Sequence, residues 1–222
     1  MPRILITGSA RGIGLALVRH YLHQGAEVIA VCRDPGNDLP ALACEIIAGV
    51  ELTESAGIES VCAALGQRPL DVLIHNAGVM RRDRLGILSS SQADFLTQFA
   101  VNSVAPLLLT EALLANLFSG AKIALISSRM GSIADNGSGG SYGYRMSKAA
   151  LNIAGKSLSI DLRPRGIAVA LLHPGFVRTA MTSDKGDTDP AIAAESLARR
   201  IEDLNLDNSG SFWHARGEIL PW

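Results

Sequence analysis

Short apolar runs alternate along the chain with longer stretches in which apolar residues recur every three or four positions. The runs at 4–7, 28–32, 45–48, 72–75, 122–127 and 168–173 read as strands, with a seventh short piece near Phe212. Several are apolar throughout, which suits strands covered on both faces. Between them, the spacing predicts helices over 13–24, 54–65, 91–118, 144–163 and 190–204. Regular alternation of this kind implies β-α-β units with right-handed crossovers. The expected fold class is α/β: a doubly wound, mostly parallel sheet of about seven strands with helices on both faces. The Gly/Ser-rich segment 131–141 and the polar segment 179–189 read as loops. No repeat or linker-like composition interrupts the pattern, so residues 1–222 are expected to form one domain.

Composition narrows the function classes. With 48 per cent hydrophobic and 18 per cent charged residues, the 222-residue chain is globular and long enough to bury a sizeable core. Twenty basic residues against 21 acidic ones leave a net charge of −1, which offers neither a nucleic-acid surface nor a polybasic membrane patch. No run approaches membrane-spanning length. The chain passes from Arg3 straight into a glycine loop with no long apolar region before a cleavage site, so no signal peptide and a cytoplasmic location are expected. Cys32, Cys44 and Cys62 are odd in number and lack metal-ligand spacing. They read as reduced thiols, and no metal site is expected.

Thr7-Gly8-Ser9-Ala10-Arg11-Gly12-Ile13-Gly14 follows the first strand and opens the first helix, the context a dinucleotide site needs. Glycines let the backbone turn tightly and approach a pyrophosphate, and the first N–H groups of the helix then face the anion. The spacing is Gly-x-x-x-Gly-x-Gly, not the commoner Gly-x-Gly-x-x-Gly. Gly8, Ala10, Arg11, Gly12, Ile13 and Gly14 are therefore candidate nucleotide contacts. At the end of the second strand, NAD sites usually place an Asp or Glu to grip ribose hydroxyls. Here Cys32 and Arg33 occupy that place. Arg33 and Arg11 suit a 2′-phosphate, which favours NADP(H). Asp34 would grip a ribose instead, which leaves NAD(H) as the alternative.

Tyr144 and Lys148 stand four residues apart in a predicted helix, a spacing that puts both on one face. An ammonium beside a phenol favours the phenolate and lowers its pKa towards working pH. Tyr142 is a rival, but Met146 stands four residues after it. The pair alone is weak; its companions give it weight. His75-Asn76-Ala77-Gly78 ends the fourth strand, Val101-Asn102-Ser103 lies in the long predicted helix, Ser127-Ser128 ends the fifth strand and His173-Pro174-Gly175 ends the sixth. With the glycine loop, this ordered set resembles the short-chain dehydrogenase/reductase family, in the form whose whole body is one Rossmann domain. The resemblance runs from Ile4 to near Thr179. From Gly131 to Asn152 it looks closest to the sniffer-like and C-factor-like branch of carbonyl reductases.

The resemblance implies an NADP(H)-dependent oxidoreductase, with NADPH preferred over NADH, that interconverts a carbonyl and an alcohol by hydride transfer. It implies that Tyr144 is the general acid or base, that Lys148 lowers its pKa and bonds the nicotinamide ribose, and that Ser128 holds the substrate oxygen. Asn102 would support a water chain through which Lys148 exchanges protons. Asn76, Ala77 and Gly78 would line the cofactor, and Pro174, Gly175, Val177 and Thr179 would meet its nicotinamide end. Glu51, with Leu52 beside it, stands where the family commonly has an Asp contacting adenine. Ser128 and Tyr144 are 16 positions apart, wider than the family's usual spacing, so the extra residues are expected to bulge out as the Gly-rich loop. Ser127, Ser132 and Ser141 are the alternatives to Ser128. An apolar pocket from Met80, Met130, Ile133, Phe176 and Met181 would take a small carbonyl or alcohol substrate. Ala- and Leu-rich stretches at 107–117 and 149–158 fit a homodimer or homotetramer. Two rival readings stand beside this one. A nucleotide-sugar epimerase or dehydratase usually carries a larger C-terminal lobe, whereas 43 residues follow Thr179 here. The other is an NAD(P)-binding signalling or regulatory protein of C-factor type whose turnover is secondary.

Overall fold

Successive side chains of a strand point to opposite faces, so an unbroken apolar run needs cover on both. The computed structural model describes residues 1–86, 88 and 92–222. It places β1 (Arg3–Thr7), β2 (Glu27–Val31), β3 (Glu45–Ile47), β4 (Leu70–His75), β5 (Leu117–Ile126), β6 (Ala168–His173) and β7 (Phe212–His214) in one parallel sheet of order β3-β2-β1-β4-β5-β6-β7. Ile4, Ile6, Val28 and Ala30 pack into one core layer with Leu17 and Val18 of α1 (Gly12–His23) and Leu197 and Ile201 of α6 (Pro190–Glu202). Leu5, Ile29, Leu73 and Ile123 face the other way. They meet Val61 of α2 (Ser55–Leu65), Leu109 of α4 (Ala105–Ala112) and Leu151 of α5 (Tyr142–Asp161). The sheet is thus covered on both faces, as the apolar runs predict, in the doubly wound Rossmann arrangement. β1 and β4 are adjacent but not consecutive, so the crossovers leave to opposite sides there. Ligand sites of open α/β sheets lie at such a switch point, outside the carboxyl ends of the strands.

The region 91–118 departs most from expectation. One long helix is predicted, and its start at Ser91 lies outside the described residues. The structure has α3 (Gln92–Phe99), a π-helical turn (Ala100–Val104), then α4, which stops at Ala112. Pro106 carries no N–H for the Asn102 carbonyl four residues back, so a regular ladder is not available there. Past α4, the Asn116 side chain donates to the carbonyls of Gly66 and Arg68 at 2.8 and 2.9 Å, and the chain enters β5 five residues before the predicted strand. Contacts with a distant loop end the helix, and the apolar period does not register them. Among the described residues, no helix is long and apolar enough to cross a membrane. The three cysteines are free, and burial pushes each thiol upwards.

Candidate active site

The glycine loop joins β1 to α1 at the switch point. A Cβ on Gly14 would lie 2.1 Å from the Gly8 carbonyl oxygen, and one on Gly8, at φ +64, would lie 2.7 Å from Ala77 Cα. Only glycines allow β1, α1 and the end of β4 to meet so closely. Asn76 holds the loop from the β4 side, its Nδ2 donating to the carbonyls of Thr7 and Gly8 at 3.0 Å each. The Thr7 hydroxyl accepts the N–H groups of Asn76 and Ala77 at 3.1 Å. Ser9 Oγ donates to the Val31 carbonyl at 3.0 Å and ties the loop to β2. Thr7 and Ser9 are not among the loop contacts expected from sequence, which are Gly8, Ala10, Arg11, Gly12, Ile13 and Gly14. Arg11 occupies the position before α1, and among the described residues no side chain caps the first N–H groups of that helix. Gly12 faces Thr179, whose Cγ2 lies 3.3 Å from where a Cβ would be. Thr179, in the segment after β6 that also carries Pro174, Gly175 and Val177, therefore meets the loop at Gly12.

At the end of β2, Arg33 and Glu51 face one another at 3.6 Å, both reaching solvent. Glu51 also accepts from the N–H and hydroxyl of Thr53, at 3.3 and 2.9 Å. Leu52 packs against the core beside it. Asp34, the alternative ribose ligand, turns its Oδ1 back on the Gly36 N–H at 2.9 Å.

Tyr144 and Lys148 lie one turn apart on the buried face of α5, with 8 and 4 per cent of their surfaces exposed. The ammonium stands 5.9 Å from the centre of the phenol ring and donates to the Ile126 carbonyl at 2.8 Å. No carboxylate answers that charge, and burial pushes the lysine down to about 8. The phenol behaves differently from the sequence expectation of an acidified tyrosine. Burial pushes it up to about 12, and a hydrogen bond with Ser128 draws it back. Desolvation disfavours the phenolate, and with the ammonium 5.9 Å from the ring centre it decides the direction.

Ser128 follows β5, and its Oγ also accepts the Met130 N–H at 3.2 Å. The alternatives are placed otherwise. Ser127 Oγ donates to Asn152 Oδ1 at 2.6 Å, Ser132 Oγ accepts the Asp135 N–H at 3.0 Å, and Ser141 precedes α5 in a left-handed conformation. The wide spacing between Ser128 and Tyr144 is absorbed as expected, by the loop that leaves after Gly131. A Cβ on Gly131 would lie 2.7 Å from the Lys148 backbone, so the glycine lets the serine loop press on α5. Met80 and Met130 are half-buried and Ile133, Phe176 and Met181 are exposed, so none of the predicted pocket residues belongs to the core.

Asn102 is fully buried in the π turn. Its Oδ1 accepts the Val79 N–H at 2.8 Å, and its Nδ2 donates to the Val79 carbonyl and to Ser147 Oγ at 2.9 Å. Gly78 lies against both Asn102 Oδ1 and Lys148 Nζ, at 3.3 and 3.7 Å from its Cβ position. The side chain thus pins the chain beyond β4 to α5. Ser147, which completes that link by donating to the Tyr144 carbonyl at 2.8 Å, reads in sequence as a mere spacer within the Tyr-x-x-x-Lys motif.

A family model described as short chain dehydrogenase matches residues 2–190. A 1-hydroxy-2-glutathionyl-2-methyl-3-butene dehydrogenase of Rhodococcus sp. is 38 per cent identical over the full length of both chains. C-signal of Myxococcus xanthus is 43 per cent identical over 69 per cent of this chain and 93 per cent of its own length. The NADPH-bound carbonyl reductase from chicken fatty liver superposes with a TM-score of 0.89 at 31 per cent identity, covering 100 per cent of this chain and 99 per cent of that one.

Proposed function

This chain belongs to the short-chain dehydrogenase family of oxidoreductases, and on that premise we propose that it interconverts a carbonyl and an alcohol using NADP(H), preferring NADPH to NADH. One observation carries the reading: a buried phenol, Tyr144, stands one helical turn from the buried Lys148 ammonium, which lies 5.9 Å from the centre of its ring, at the same end of the sheet as a glycine loop shaped for a pyrophosphate.

The residues present fit the dinucleotide. The uncapped start of α1 suits the pyrophosphate, with Gly8, Ala10, Arg11, Gly12, Ile13 and Gly14 around it. Arg33 and Arg11 would hold a 2′-phosphate, and the turn of Asp34 onto Gly36 supports that choice over a ribose grip. The NADPH in the chicken carbonyl reductase points the same way. Glu51 and Leu52 would flank the adenine, while Asn76, Ala77, Gly78, Pro174, Gly175, Val177 and Thr179 would line the nicotinamide half. When bound, the cofactor supplies the hydride chemistry.

The chain's own groups handle the oxygen and its proton. Ser128 Oγ and Tyr144 Oη supply two donors to the substrate oxygen and stabilise the charge that develops there. Tyr144 Oη gives its proton during reduction and takes one back in the reverse direction. Lys148 Nζ favours the phenolate that remains. Asn102, in the π turn beside Lys148, would help hold a water through which Lys148 exchanges protons. The half-buried and exposed apolar residues of the pocket favour small or moderately apolar aldehydes and ketones. The whole chain acts as one nucleotide-binding domain that also carries the catalytic site. Exposed Leu107, Leu108 and Ile153 on α4 and α5 support assembly as a homodimer or homotetramer, which sedimentation would read directly.

The test is NADPH oxidation with a panel of aldehydes and ketones, run beside Tyr144→Phe. Carbonyl-dependent turnover that the Phe variant loses is expected; a phenylalanine variant as active as wild type would remove Tyr144 from the mechanism. The likeness to C-signal favours a second reading, a signalling protein that binds NADP(H) with turnover secondary. Tight NADPH binding without turnover on any carbonyl would favour it.

A further inference from the structure

Two helix starts border this site, and they are treated differently. The start of α1 has no side-chain cap. The start of α5, which carries Tyr144 on its third residue, is capped from a distant part of the chain. Asp83 Oδ1 accepts the N–H of Tyr142 and Oδ2 that of Gly143, the latter at 3.0 Å. The Asp83 carbonyl accepts the Ser141 N–H at 3.1 Å. Three consecutive backbone donors leading into Tyr144 are thus held by one buried residue, 8 per cent exposed. Ser141, the local candidate for a cap, makes no such bond with its side chain.

Asp83 is itself fixed. It ends the segment that leaves β4 through Asn76, Ala77 and Gly78, and that segment is laced at alternate residues. Val79 is held at both its N–H and its carbonyl by Asn102, and the Arg81 N–H donates to Gln98 Oε1 at 2.9 Å. Gln98 and Phe95 of α3 also close on the first turn of α5. A Cβ on Gly143 would meet Gln98 Nε2 and Phe95 Cδ1 at 2.5 Å each, so nothing larger than hydrogen fits there. A carboxylate bonded to the first N–H groups of a helix also complements its dipole.

We propose that Asp83 is a positioning residue for the reaction: its carboxylate clamps the first turn of α5 and so sets Tyr144 against the nicotinamide-side loop at 76–78. This rests on the reading of Tyr144 as the acid. The clamp acts through geometry, since a small displacement of a proton donor from its reacting atom is costly to rate. Binding of the dinucleotide, which uses the far side of the loop and the start of α1, does not need it.

Asp83→Asn tests this. The shape is kept, but the amide offers one acceptor oxygen and turns an N–H₂ towards a backbone N–H. Turnover number and KM for NADPH would be measured together with hydrogen exchange at the amides of Tyr142, Gly143 and Tyr144. A roughly tenfold fall in kcat is expected, less than the about 100-fold or more that losing the positioned acid itself would cost, because the acid is displaced and not removed. KM for NADPH should stay within about twofold, far short of the tenfold that 1.4 kcal/mol would make. Exchange at the three amides should quicken. Asp83→Ala should do the same more strongly. Unchanged exchange would overturn the clamp, and faster exchange with wild-type kcat would leave only an ordinary helix cap and overturn the positioning role. Exchange is readable without turnover, so an inactive wild type would count against the carbonyl reductase reading and leave the clamp to be judged on exchange.

Discussion

The two rims of the sheet differ in what they bury: both pair charges at the surface, but only one encloses a cation with no acid beside it. At the amino ends of the strands, acids and bases answer one another in a chain. Arg3 meets Glu27 at 2.8 Å, Arg68 meets Glu45 at 2.6 Å and Glu27 at 3.7 Å, and Lys122 donates to the last carbonyls of α6 at 3.0 and 2.7 Å. Bonds to Arg3 and Arg68 hold the Glu27 and Glu45 carboxyls below their ordinary range. At the carboxyl ends, Lys148 is buried with a backbone carbonyl and no acid, Tyr144 is buried beside it, and the start of α1 is uncapped. One rim satisfies its own charges at the surface. The other holds a cation and open donors where desolvation penalises them, an arrangement that favours an anionic partner over stability. The proposed site lies where the chain leaves polar groups incompletely answered by its own side chains, as perturbed groups at functional sites commonly are.

Substitutions on the two rims should therefore part activity from stability. The largest effect is expected from Tyr144→Phe, which should lower kcat for carbonyl reduction at least about 100-fold, with NADPH binding retained in a fluorescence titration. Lys148→Met comes next: turnover should fall by about tenfold or more, while the melting temperature stays level or rises, because a desolvated charge is removed and only the Ile126 carbonyl loses a donor. The pH dependence sharpens this. The folded state releases the Lys148 proton near pH 8 and the unfolded chain near 10.5, so the unfolded state binds more protons in between and wild-type stability gains with rising pH. Other groups titrate alike in both proteins, so the stability advantage of Lys148→Met should shrink from pH 8 to 10, as followed by denaturant melts. An advantage that grows would show the lysine charge to be stabilised, not penalised.

Arg33 is an intermediate case, since it stands on the functional rim but already faces Glu51. Arg33→Ala should narrow the NADPH-over-NADH preference by about tenfold, the weight of a charge-assisted contact to phosphate, with turnover on NADH little changed. An unaltered preference would take the 2′-phosphate away from Arg33. The smallest effect belongs to the amino-end rim. Arg68→Ala breaks a partly exposed ion network and should lower the melting temperature by about 2–4 °C, with kcat at 25 °C as in wild type. Loss of activity there would erase the contrast between the rims.

The sequence by itself determined what depends on neighbours along the chain. Unbroken apolar runs require strands covered on both faces. Gly8 and Gly14 mark where backbone must approach backbone, and a spacing of four puts Tyr144 and Lys148 on one face of any helix that contains them. Tertiary structure decided what depends on residues far apart in the chain. Asn116 ends a predicted helix by bonding a loop 48 to 50 residues earlier, and Asp83, an unremarked acid in a run of arginines, caps a helix 59 residues later. The tuning of Tyr144 was decided there too. Spacing places the ammonium near the phenol, but only packing shows that water is excluded from both, and desolvation then outweighs the attraction between them. Periodicity and motif report local geometry; burial and the choice of a distant hydrogen-bond partner are properties of the folded whole.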